Sequence, residues 1–254
     1  MNATPPTSAG AAKGEARPAA AREITTDFDW LIYADATFAG LAVLLPIPFV
    51  DSWLEGYFRR RMPRDIARRR GRVLSRAVIR EVNRDHGEGF LRGCLLWPVG
   101  MVIYLVRNMY RTLLYIFTIV DATDNLSYYW HRAFLLDVMT TRGHLDATES
   151  AAIAGEAMRR VLKTTETSPV RNLAQETISF ASEHVRGLIR AIFRFLRRKE
   201  ETAEFKRRRQ GIASRWAEYH DYFVDLAATY EQTYATVKRE RELAAMTAKG
   251  RARE

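Results

Sequence analysis

A chain of 254 residues with 47% hydrophobic and 28% charged residues can bury a substantial core, which excludes a low-complexity or wholly unfolded polypeptide. Its single cysteine, Cys94, excludes an internal disulfide. The net charge of +10 is unevenly placed: residues 59 to 84 hold eleven arginines against two acids, Asp65 and Glu81, so this segment alone carries +9.

Met1 to Arg22 is rich in Ala, Pro, Gly and Ser and lacks an apolar core, so residues 1–24 read as a disordered tail. The first helical run, Phe28 to Leu45, enters the uncharged stretch Ala36 to Val50 and stops at Pro46-Ile47-Pro48, where two prolines forbid regular helix. A second run starts near Asp51, a fitting N-cap. Pro63 sits where it could open a new helix at its first position, reaching about Arg84 with Gly71 as a weak point. Asp85 to Gly89 is a turn by composition.

Phe90 to Val120 is the most apolar run, kinked by Pro98 and interrupted by Arg107 and Arg111. Asp121 to Asn125 closes it, a shorter helix covers Leu126 to Thr140, and Arg142-Gly143-His144 turns the chain. Residues 25–144 thus form an apolar and basic helical region. Asp146 to Leu162 is then an amphipathic helix, and Thr164 to Pro169 a link.

Two long helices follow. The first carries the 3-4 spaced apolar row Ile178, Ala181, Val185, Leu188, Ile192 and Phe195, and the second the row Ile212, Trp216, Tyr219, Phe223, Leu226 and Tyr230. Such rows are the seam of one helix packed along another. The short charged connection Arg198 to Thr202 favours an antiparallel, coiled-coil-like hairpin within residues 145–246. A single unbroken helix is the alternative, because that connection has no Gly or Pro. Residues 247–254 read as a second tail. The expected fold class is all-α.

In the basic segment arginine recurs at every fourth position from Arg60 to Arg84. Each step of four advances a helix by roughly 40° beyond a full turn, so the row is a slow spiral. On one continuous helix Arg68, Arg69, Arg72, Arg76 and Arg80 share about a third of the circle. Three readings compete for this face: the headgroup layer of an anionic membrane, nucleic-acid phosphate, or a solvated surface neutralised by acids elsewhere in the fold. The apolar segment directly before it favours the membrane, matching the basic flanks on the cytoplasmic side of membrane segments. Nucleic acid is disfavoured, since no basic sheet with stacking aromatics is evident.

A spanning helix needs about 20 apolar residues. Trp30 to Val50 qualifies only if Asp35 is tolerated and the prolines lie at the edge. Arg107 and Arg111 break the second apolar run on one face, where they could touch headgroups or sit within the membrane with partners. Aromatics flank both runs, as interface belts do. A peripheral, re-entrant or hairpin-inserted helical region fits better than clean multiple spanning. The segment from Ala39-Gly40-Leu41 through Pro46-Ile47-Pro48-Phe49-Val50-Asp51, followed by an Arg-rich helix ending at Arg70-Gly71, resembles bacterial EcsC-like helical membrane-associated proteins over about residues 36–71. The resemblance implies membrane association and a helical fold, and supplies no active site.

No catalytic or metal motif emerges. The five histidines are not closely spaced with one another or with Cys94, and no HExxH, CxxC, EF-hand, P-loop or GxGxxG pattern is present. The expectation is a non-enzymatic protein without cofactor or metal. It anchors at the cytoplasmic face of an anionic membrane and uses its C-terminal helices to recruit a protein partner or to self-associate. The alternative is a soluble all-helical protein whose Arg-rich helix binds an acidic partner or nucleic acid.

Overall fold

In the computed structural model of this chain, residues 25–45, 50–84, 111–165, 168–197 and 203–251 are described. The expected tail at 1–24, the turn at 85–89 and the apolar run from residue 90 to 110 lie outside them. All regular structure among the described residues is helical. In chain order the helices are α1 (Trp30–Leu41), α2 (Val50–Arg69), α3 (Arg76–Val82), α4 (Arg111–Arg142), α5 (Thr148–Leu162), α6 (Val170–Glu183), α7 (Val185–Leu196), α8 (Ala203–Trp216) and α9 (His220–Arg251). Short 3-10 turns follow α1 (Ala42–Leu44) and α8 (Ala217–Tyr219).

Helix α1 is the axis of the fold. Asp29 caps it, accepting from the Leu31 amide at 2.9 Å. Every residue from Trp30 to Leu41 except Leu31 is buried. Helix α1 runs antiparallel to α2, with Phe38 against Phe58 and Asp29 against Arg69. It is also antiparallel to α4: Trp130 Nε1 donates to the Thr37 hydroxyl at 3.0 Å, and Gly40 lies against Leu126. The apolar run that could suggest a membrane segment is therefore wrapped by its own chain over α1. Among the described residues no helix is long and apolar enough to cross a membrane.

The C-terminal helices close the other side of this core. Helix α6 runs antiparallel to α4, through Ser168 to His131 and Arg171 to Asp124. Helix α9 runs parallel to α4, with Phe223 on Phe134 and Tyr230 on His144. Trp216, at the α8–α9 elbow, stacks among Phe28, Tyr33, Trp130 and Phe223 and donates its Nε1 hydrogen to the Thr26 carbonyl at 2.9 Å. One cluster of buried side chains runs from Trp30 to Val237, so helices from before and after residue 144 share a core.

Several boundaries differ from the sequence reading. Pro63 does not open a helix; α2 passes through it, leaving the Arg59 carbonyl without its usual helical donor. The stop comes instead at Gly71, whose φ of 69° is cheap only for glycine. There the Arg72 amide bonds the Ala67 carbonyl (2.8 Å) and the Gly71 amide bonds that of Arg68 (3.0 Å), a Schellman closure. Ser75 then caps α3 by accepting from the Val78 amide at 3.3 Å.

The polar run Asp121 to Asn125 does not end a helix either. It lies inside α4, where the Thr123 hydroxyl bonds back to the Ile119 carbonyl at 2.8 Å and Asp121 and Asp124 face outward. The first long C-terminal helix is broken at His184 into α6 and α7. The ring Nδ1 of His184 meets the Phe180 carbonyl at 3.0 Å, displacing its own amide to Ala181. Helix α9 continues to Arg251 rather than ending at Met246; Ala244, Ala245, Met246, Ala248 and Lys249 are good helix formers, and no proline interrupts them.

Candidate functional site

The break at Gly71 decides which arginines are available. Because α2 ends there, the spiral from Arg60 to Arg84 is divided between two helices and never forms one face. Among the five arginines expected to share an arc, Arg69 turns to Asp29 at 2.7 Å and Arg72 pairs with Asp146. Arg70 binds both oxygens of Asp137. Arg68 stays open, with its side chain 63% exposed and Asp65 only at 3.7 Å. Arg76 and Arg80 are exposed on the separate helix α3. Arg107 lies outside the described residues, and Arg111 opens α4 with its side chain outside them.

A different face takes shape on α2. Trp53, Tyr57, Arg60, Arg64 and Arg68 follow a 4-3-4-4 spacing and are all exposed. At 100° per residue they fall within an arc of about 80°. Trp53 is 63% exposed and stacks on Tyr57 with ring centroids 5.9 Å apart. Buried Phe58, Met62 and Ile66 fix the opposite side of the helix against the core. The result is one stripe, aromatic at its start and cationic for the next three turns. In the sequence its aromatic and basic residues belong to separate patterns; their shared 3-4 spacing is the signal that joins them.

Arg61 flanks this stripe and is occupied. It lies 2.6 Å from Asp65 and 3.5 Å from Asp35, with its guanidinium over the Phe195 ring at 5.0 Å. Asp35 is buried on α1 with neither carboxylate oxygen hydrogen-bonded. Burial pushes its carboxyl up to about 7, against the opposing pull of Arg61. Arg132 on α4 is also buried; its Nη2 donates to the Asn83 side chain (2.8 Å) and the Val82 carbonyl (3.2 Å). Desolvation draws its guanidinium below the usual range.

A serine–histidine contact lies inside the fold. His131 Nδ1 donates to the Ser127 carbonyl at 2.6 Å, which leaves Nε2 as acceptor 2.8 Å from both the Ser168 and Tyr222 hydroxyls. Burial holds His131 neutral, lowered to about 4. Ser168 Oγ already accepts from the Val170 amide at 3.1 Å and is buried. This group latches α4, α6 and α9 together and presents no open nucleophile. Among the described residues no group of three or more His, Cys, Asp or Glu could hold a metal ion.

The two apolar rows of the C-terminal helices are placed as follows. Ile178, Leu188 and Ile192 are buried, and Phe195 packs on Phe38 and Phe58. The side chain of Val185 lies outside the described residues. Trp216, Phe223, Leu226 and Tyr230 are buried, while Ile212 and Tyr219 are half-buried. The rings of Trp216 and Phe223 meet α1 and α4, so this row serves the common core. A polar hollow between α6 and α8 is lined by Asn172, Gln175, Glu176, Ser179, Arg215 and Tyr219, and Arg215 pairs there with Glu176. No protein-family model, curated protein or solved structure matches this chain.

Proposed function

We propose that this chain is a non-enzymatic peripheral membrane protein that docks on the cytoplasmic face of an anionic bilayer through the open face of α2. The observation that carries this reading is the single stripe of Trp53, Tyr57, Arg60, Arg64 and Arg68. Exposed aromatic rings settle at headgroup depth, and arginines bind lipid phosphate in two-pronged fashion. Each basic residue near an anionic surface contributes about 1 kcal/mol. The resemblance to EcsC-like proteins over residues 36–71 points the same way. The last turns of α9 carry exposed Leu243 and Met246. These turns supply the surface for a protein partner or a second copy.

Cell fractionation tests the location. The chain sediments with membranes at low salt and is released by high salt or carbonate; a fully soluble chain at low salt contradicts the reading. The stacked Trp53–Tyr57 pair beside arginines favours one alternative, a platform for single-stranded nucleic acid. An oligonucleotide that binds the chain where anionic vesicles do not would select that alternative.

A further inference from the structure

Helix α7 has an outer face of the same character as α2. Arg186, Arg190, Phe193 and Arg197 are all exposed, Phe193 by 56%. At 100° per residue they lie within an arc of about 60°. The opposite side holds Leu188 and Ile192 buried and Ile189, Phe195 and Leu196 half-buried against the core. An exposed phenyl ring on an arginine-bearing face gains nothing from water. The same combination suits the interfacial layer, where rings and cations sit at one depth. The charge extends past the helix: residues 185 to 209 hold ten basic residues against three acids, Glu200, Glu201 and Glu204.

The fold places this helix beside the α2 stripe. Phe195 sits 6.2 Å from Phe58 and 5.0 Å beneath the Arg61 guanidinium, and Arg61 lies just outside the edge of the α2 stripe, about 20° beyond Arg68. Two helices remote in sequence are therefore packed together, and each carries an exposed aromatic and arginine face. From this juxtaposition we infer that α7 is a second membrane contact, lying flat on the anionic bilayer beside α2 with Phe193 inserted among the headgroups. The inference rests on the docking role proposed for α2. Helix α7 spans about 18 Å by helical rise, too short to cross a bilayer.

The test uses the purified full chain and vesicles of phosphatidylcholine with or without phosphatidylserine. The Arg186→Glu, Arg190→Glu, Arg197→Glu variant should lose at least tenfold in partitioning to the anionic vesicles while keeping the wild-type circular dichroism. The Phe193→Trp variant should gain emission that is quenched by brominated lipid. Wild-type partitioning by the α7 charge variant, or added indole emission that bromine does not quench, overturns the α7 contact alone, provided the wild type binds. Failure of the wild type to bind anionic vesicles overturns the α2 reading as well, and so does binding to a single-stranded oligonucleotide in preference to vesicles.

Discussion

Arg70, the last residue before the Gly71 turn, grips both carboxylate oxygens of Asp137 at 2.7 and 2.6 Å across 67 residues of sequence. Asp137 is 5% exposed and Arg70 27% by side chain. The pair fastens the end of α2 to the C-terminal part of α4. It fixes the helix end just beyond the stripe of Trp53, Tyr57, Arg60, Arg64 and Arg68. Asp137→Ala leaves the half-buried Arg70 guanidinium without its acid, so it should cost about 1–3 kcal/mol in urea unfolding. A loss below about 0.5 kcal/mol would show that the pair is solvated in practice.

Two glycines give opposite expectations. A Cβ added at Gly40 would meet the Leu126 Cα at 2.5 Å, and backbone cannot yield there. Gly40→Ala should therefore destabilise by about 1–3 kcal/mol. Gly56, in the middle of α2, has nothing within 4 Å of such a Cβ. Gly56→Ala should stabilise by about 0.5–1 kcal/mol through helix propensity. Thermal melts of both variants check the close approach of α1 and α4 and the open flank of α2.

Asp35 sets a pH dependence. Its carboxyl moves from 3.8 to about 7, chiefly because it is buried. The folded value lies above the unfolded one, so between about pH 4 and 7 the folded state binds more protons. This group's effect on stability is most favourable below about pH 4 and declines as pH rises to about 7. Asp35→Asn removes that decline, and Arg61 keeps Asp65 as its partner. The variant should gain on the wild type as pH rises, by about 2–4 kcal/mol at pH 8. Denaturant midpoints for both proteins at pH 5 and 8 measure the difference; an equal gap at the two pH values would contradict the buried, protonated Asp35.

The buried histidine works in the opposite sense. His131 is lowered from 6.5 to about 4 by burial. Protonation therefore favours the unfolded chain, and the stability tied to a neutral His131 is present above about pH 6.5 and lost as pH falls toward 4. NMR titration should show the ring still neutral at pH 5.5. A ring that titrates near 6.5 would mean that the Ser168–His131–Tyr222 latch opens in solution.

The helical class and the apolar rows were legible because burial repeats every three to four residues. The arginine face was not. Its wheel assumed a helix continuous through Gly71, and local pattern does not reveal that Arg69, Arg70 and Arg72 find acids 40, 67 and 74 residues away. The polar run Asp121 to Asn125 looked like a helix end because polarity and loop are correlated. Without Gly or Pro it had no reason to break; its two carboxylates, Asp121 and Asp124, face outward, and Asp124 meets Arg171. The C-terminal rows were seen as apolar faces, but what Trp216 and Phe223 would face is a property of the assembled core.

The most direct test of membrane docking is co-flotation of the purified chain with vesicles at about 0.1 M salt, using Arg60→Gln, Arg64→Gln, Arg68→Gln as the variant. These arginines are exposed, so the fold should be unchanged. Losing three surface cations worth about 1 kcal/mol each should weaken binding to phosphatidylserine vesicles by about a hundredfold. Wild-type binding should also fall steeply as salt rises and the charges are screened. A wild type that stays in solution with anionic vesicles, or a variant that floats as the wild type does, would contradict docking through α2.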